Sequence, residues 1–135
     1  MALLDLIIPS RPILINQAVA DKPQVVIDVF GLNTEDFVFL VDGYKTILAS
    51  IFLRNAKEDL KNIETSKEIL GSFPEFAAAC VACGCRQRDA HEYIRQLPFP
   101  IQIELLSTIF ELTFPEGLKK SLEKLMPTIL QLLRK

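Results

Sequence analysis

Beyond Gly31 the apolar residues recur at helical spacing, whereas the first 31 residues follow another pattern. Pro9, Pro12 and Pro23 break any helix in that opening section, because proline lacks the amide donor and crowds the preceding turn. Ile13, Leu14 and Ile15 form one short candidate strand. Gln24 to Phe30 is the stronger one, since Val25, Val26, Ile27 and Val29 are β-branched and suit a pleated surface. Together they predict a small N-terminal β-hairpin with a loop around Ala18 to Lys22.

Gly31 ends the strand and Asn33 begins a helix, with Asp36 three residues on in capping-box position. Glu35 adds negative charge to the first turn, where the helix dipole favours it. Phe37, Leu40, Val41, Tyr44, Ile47, Leu48, Ile51 and Phe52 form its apolar stripe, and Gly43 marks a bend or a close contact. Lys57 to Leu70 reads as a charged surface helix with a thin apolar face (Leu60, Ile63 and Leu70), stopped by Gly71. Ser72, Pro74 and Glu75 make a further start signal. Phe76 to Cys83 is apolar on every side and rich in alanine, which predicts a central helix.

A polar break at Gly84 to Arg88 precedes a short helix over Asp89 to Leu97, ended by Pro98. Ile101 to Thr113 is a further helix, largely buried, with Glu104, Ser107, Thr108 and Glu111 on one narrow side. Pro115, Glu116 and Gly117 turn a corner. The last helix runs from about Glu116 to Leu133, kinked at Pro127. The fold class is mainly α: a compact helical domain of about five to six helices with a small N-terminal β-hairpin. It forms one domain, residues 1–31 being the β section and 32–135 the helical body.

Composition narrows the function. Half of the chain is apolar, mean hydropathy is +0.27 and the formal net charge is −2. Without a basic stripe there is no footprint for nucleic acid. The longest apolar run, Phe76 to Cys83, is far short of the ~20 residues needed to cross a bilayer. The N-terminus has no basic region and Asp5 interrupts Leu3 to Ile8, so no signal peptide is read there. Three cysteines, an odd number, argue for a reducing cytoplasm over a disulfide framework.

Cys80, Cys83, Cys85 and His91 are the one cluster of soft ligands. Their number matches tetrahedral zinc, but a cysteine inside an alanine-rich helix ordinarily acts as a small buried hydrophobe, and no metal or other cofactor is assigned. The single histidine has polar neighbours and no nucleophile motif beside it. The five glycines are isolated, so no phosphate loop exists. No enzymatic activity is expected.

The final stripe is the main candidate for binding. Leu118, Leu122, Leu125, Met126, Ile129, Leu130 and Leu133 lie opposite Lys119, Lys120, Glu123, Gln131 and Arg134. Burying these side chains is worth ~10–20 kcal/mol gross, at ~1.5–3 kcal/mol each, before the entropy of ordering is subtracted. Either the domain's own core or a partner helix meets that demand, because helix-in-groove recognition uses the same spacing.

Two segments resemble a known family. Leu97-Pro98-Phe99-Pro100-Ile101-Gln102-Ile103-Glu104-Leu105-Leu106, continuing through Ile109, Leu112-Thr113-Phe114 and Glu116-Gly117 to Lys119-Lys120, is similar to the C-terminal signature of phage tail assembly chaperones. These are the small proteins encoded just ahead of the tape measure protein in long-tailed phages. Val29-Phe30-Gly31-Leu32-Asn33-Thr34-Glu35-Asp36-Phe37 resembles the family's other recurring piece, a strand ending in Gly-Leu that leads into a capped helix. The likeness spans residues 25 to about 126; the Cys-rich helix departs from it and the first 24 residues lie outside it.

The resemblance implies a chaperone that binds the tape measure protein and keeps it soluble during tail-tube assembly. It would act in the host cell cytoplasm and be absent from the mature virion, with the tail tube protein and a second copy as further partners. A structural tail or baseplate adaptor, and a small zinc-binding regulator, are the alternatives.

Overall fold

The computed structural model describes residues 8–16, 25–57, 61–117, 120, 121, 123, 124, 127 and 131. Strand β1 (Ser10–Asn16) pairs antiparallel with β2 (Val25–Phe30), Ile13 facing Ile27 and Leu14 facing Val26. β1 begins earlier than the apolar triplet predicts and takes in Pro12, which an outer strand tolerates. Gln24 and the loop around Ala18 to Lys22 lie outside the described residues. The hairpin turns Ile13 and Val29 into the core and leaves Leu14, Val25 and Val26 exposed.

Among the described residues five α-helices follow: α1 (Thr34–Lys57), α2 (Asn62–Ser72), α3 (Pro74–Gly84), α4 (His91–Arg95) and α5 (Phe99–Thr113). A 3-10 turn, Arg88–Ala90, leads into α4. The architecture is therefore mainly α with an N-terminal hairpin, as the periodicity predicts. No helix among the described residues is long and apolar enough to cross a membrane.

Helix α3 is the centre. Every residue from Phe76 to Gly84 is buried, so the absence of a polar face in its sequence is answered by neighbours on all sides. Helix α5 packs on it and on α2, with Leu105, Leu106, Ile109 and Phe110 buried. Ser107 and Thr108 are buried as well; only Glu104 and Glu111 of the predicted polar side face water. Gln102, also buried, donates from Nε2 to the carbonyls of Leu97 at 2.8 Å and Arg95 at 3.3 Å, closing the end of α4.

The bend expected at Gly43 is present one residue later, where Tyr44 leaves helical geometry at φ −140° and ψ 38°. Tyr44 turns onto Phe76 edge-to-face, the ring centroids 5.4 Å apart. Leu40, Leu48 and Ile51 of the predicted stripe are buried; the side chain of Phe52 lies outside the described ones.

Helix α2 corrects the bounds and the inward face predicted for the charged helix, of which Leu70 is buried as expected. It starts at Asn62, since Lys57 belongs to α1. Its inward face is Thr65, Ser66, Ile69 and Leu70, while Ile63 is exposed and Leu60 lies outside the described residues. Two small hydroxyl residues took the places an apolar stripe would hold; Ser66 satisfies its own hydroxyl by donating to the carbonyl of Asn62. Nor does Gly71 stop this helix or Ser72 cap the next. Phe73 does both: its amide donates to Ile69 O at 2.6 Å, and its own carbonyl accepts from Ala77.

Gly84 tests this packing. A Cβ built there lies 2.3 Å from Cδ1 and 2.6 Å from Cγ1 of Ile109, and Ile109 is itself fully buried. Gly84→Ala is expected to destabilise the domain by ~1–3 kcal/mol, read as a lower midpoint in urea. Gly71→Ala meets nothing within 4 Å and is expected to be neutral or to gain up to ~1 kcal/mol.

Candidate functional site

Two features adjoin where the hairpin meets the helical body: a buried ion cluster and an apolar groove. The cluster begins with the capping box at the start of α1. Asp36 N–H donates to Asn33 Oδ1 at 2.8 Å, and Asn33 N–H donates to Asp36 Oδ2 at 2.9 Å. Asp36 is only 2% exposed, and a carboxylate taken so far from water needs compensating charge.

That charge comes from the turn after α3. Arg86 Nη1 donates to Asp36 Oδ2 at 3.2 Å, and Arg88 Nη2 donates to Oδ1 at 2.9 Å. The guanidinium of Arg86 lies over the Phe30 ring, 4.9 Å from its centroid, and that of Arg88 lies over Phe39 at 5.5 Å. Such stacking adds attraction and fixes the planes of the two groups.

The backbone turn that delivers Arg86 is costly. Gln87 N–H reaches Ala82 O and Arg86 N–H reaches Cys83 O, the paired bonds of a Schellman helix end. The residue between the two bonds must be left-handed, and here it is Arg86 at φ +61°. Glycine takes that conformation without penalty, whereas other residues pay ~1–3 kcal/mol. Gly84 sits two residues too early to serve. It is needed against Ile109.

The same corner fastens the hairpin to α5. A Cβ on Gly31 would lie 3.1 Å from the backbone carbonyl of Leu112, so the strand-to-helix turn sits directly on the last turn of α5. Leu32 N–H donates to Thr113 Oγ1 at 2.8 Å, and that hydroxyl donates to Ile109 O. Phe37 and Phe114 then meet edge-to-face, centroids 6.2 Å apart. The two recurring segments noted in the sequence are thus one contiguous structural unit.

A family model described as pre-tape measure protein matches residues 1–135. The chain belongs to that family. Its family name ties this pre-tape measure chain to phage tail assembly and to the tape measure protein. No curated protein matches it, and no solved structure does.

In this pre-tape measure family member the groove lies beside α4, between Ile15 and Ile27 of the hairpin and Tyr93, Ile94, Leu97 and Leu105 of the helices. Its volume is about 140 Å³. Tyr93, at its lip, is 76% exposed. The seven residues of the C-terminal stripe, Leu118, Leu122, Leu125, Met126, Ile129, Leu130 and Leu133, lie outside the described residues. Nearby Lys120, Ser121, Glu123, Lys124, Pro127 and Gln131 are helical.

The soft-ligand cluster is dispersed by the fold. Cys80 and Cys83 are buried in α3 and Cys85 is half-buried beyond it, all three as free thiols. His91 opens α4 next to Glu92. Among the described residues no three His, Cys, Asp or Glu side chains are placed to hold a metal ion. Burial pushes the Cys83 and Cys85 thiols up to about 11, and Cys80 well above its ordinary range. For Cys83 the nearby Asp36 charge adds to the rise and Arg88 opposes it.

Asp36 was legible as a capping residue, but its arginine partners were not. They are 50 and 52 residues away, in a stretch that reads only as a polar break.

Removing both arginines, as Arg86→Ala with Arg88→Ala, leaves a buried carboxylate unpaired and should cost ~3–5 kcal/mol. Adding Asp36→Asn to that pair should recover part of the loss in urea denaturation; no recovery would mean the charge is not the cause.

The thiols set a separate, alkaline expectation. Folded Cys83 and Cys85 keep their protons to about 11, against an ordinary 9.0, so alkali ionises the unfolded chain first. Their contribution is complete below pH 9 and is lost as pH rises through 11. Stability should fall across that window, less steeply in the Cys83→Ala, Cys85→Ala double variant.

Proposed function

We propose that the chain is a tail assembly chaperone that binds the tape measure protein and keeps it soluble until the tail tube forms around it. The match to the pre-tape measure family along the whole chain carries this reading. The resemblance of the Gly31 turn and the α5 segment to tail assembly chaperones supports it, and the apolar groove is compatible with it. We take the action to be non-covalent, without cofactor, and located in the host cell cytoplasm.

The proposed contact surface is the C-terminal stripe of Leu118, Leu122, Leu125, Met126, Ile129, Leu130 and Leu133, whose spacing fits one face of a helix laid on a partner. A tape measure protein long enough to set a tail length carries extended apolar seams. Covering them reversibly requires apolar area on the chaperone and no permanent bond.

Co-expression with the tape measure protein of the same phage should keep that protein in the soluble fraction and yield a complex on co-purification. Leu125→Asp with Ile129→Asp, in a variant that retains its circular dichroism, should abolish the complex. Equal solubility with and without the chain would reject the chaperone reading. Stoichiometric amounts of the chain in purified virions would favour a structural tail adaptor instead.

A further inference from the structure

We infer that residues 118–135 dock an acidic amphipathic helix of a partner protein, which rests on the stripe from Leu118 to Leu133 being the contact surface proposed above. The chain's charge is divided unevenly. Residues 118–135 hold five cations, Lys119, Lys120, Lys124, Arg134 and Lys135, against one acid, Glu123, which makes +4. Since the whole chain carries −2, residues 1–117 carry −6. Apolar stripe and positive charge thus coincide in one stretch.

The described residues of this stretch fix the phase of its helix. Ser121 N–H donates to Gly117 O at 3.2 Å, so helical bonding starts at the corner after α5. Lys120, Lys124, Pro127 and Gln131, spaced i, i+4, i+7 and i+11, are all helical and exposed. They share one side of the helix, opposite the positions of the apolar stripe. Gln131 lies beyond Pro127, so the phase carries through the proline. In that phase, at about 100° per residue, the sequence puts Lys119 and Arg134 toward one margin of the stripe and Lys135 toward the other.

One carboxylate already responds to this charge. Glu116 accepts a hydrogen bond from Lys124 at 2.8 Å, and its carboxyl is held below the ordinary range by that bond, with Lys120 adding to the effect. Both side chains of the pair are more than half exposed, so water screens it and a carboxylate brought by a ligand can join it. Glu116 and Glu123 leave most of the positive charge of the segment for a partner to answer.

Charge and shape together choose the occupant. A nucleic acid matches the cations but has no use for the apolar stripe. An anionic bilayer uses both features. It is a broad surface, however, and also meets the −6 carried by residues 1–117, which repels it. A single acidic helix reaches the segment alone. It covers the stripe with its own apolar positions, in the helical spacing the stripe presents, and sets carboxylates against the lysines and the arginine at the margins.

The test uses three helical peptides that share one apolar stripe and differ at its flanks, which are all Glu, all Gln or all Lys. Their binding to the full chain is followed by fluorescence anisotropy at neutral pH and low ionic strength, with anionic phospholipid vesicles as a fourth probe. The Glu peptide is expected to bind roughly tenfold tighter than the Gln peptide and to lose that advantage in high salt; the Lys peptide and the vesicles are not expected to bind. Lys119→Glu, Arg134→Glu and Lys135→Glu together should move the preference to the Lys peptide, a gain that loss of folding cannot imitate. Equal affinity for the three peptides, or an unmoved preference in that variant, would overturn the acidic assignment. Binding of the vesicles without the Glu peptide, or of no probe, would overturn the docking helix. None of these peptides derives from the tape measure protein, so the chaperone reading stands or falls separately, on the solubility of that protein in co-expression.

Discussion

The buried carboxylate of Asp36 is the constraint on which the arrangement rests. Its place in the helix start is local chemistry, a reciprocal cap with Asn33. Its burial is not local, because the turn after α3, 50 and 52 residues on, must supply two cations. An unpaired charge at that depth would cost more than most single contacts can return. The ion cluster therefore dictates where α3 ends and how its chain emerges, to the point of imposing a left-handed conformation on Arg86.

Around that polar point the packing is conventional in its physics. Helix α3 contributes small side chains, alanine and cysteine, so that α1, α2 and α5 approach closely. Gly84 extends the same logic to its limit, giving up even a methyl group to Ile109. The cysteines belong to this packing. Their raised ionisation follows from desolvation and keeps them as neutral, space-filling groups at physiological pH.

Much of this was legible in residue order. Valine-rich spacing exposed the hairpin, the Asn33–Asp36 pair marked the start of α1, and the all-apolar run from Phe76 announced the central helix. What failed did so for identifiable reasons. The inward face of α2 departs from expectation because Thr65 and Ser66 share it with Ile69 and Leu70, and the Ser66 hydroxyl looks solvent-directed until the Asn62 carbonyl takes up its hydrogen bond. Gly71 and Ser72 carried the usual stop and start signals, yet Phe73, half-buried against the core, overrides both through its own backbone bonds. At the candidate site one half was readable and the other was not, since pairing across 50 residues leaves no periodic trace.

The attachment of the hairpin to α5 has a consequence for the order in which the molecule is made. A two-stranded hairpin alone is barely stable in water. Its fasteners are Thr113, 81 residues from Leu32, and Glu111, 100 residues from Arg11. During synthesis β1 and β2 leave the ribosome before α5 and lack these fasteners until the end of α5 has emerged. The hairpin is thus made well before the helix end that secures it.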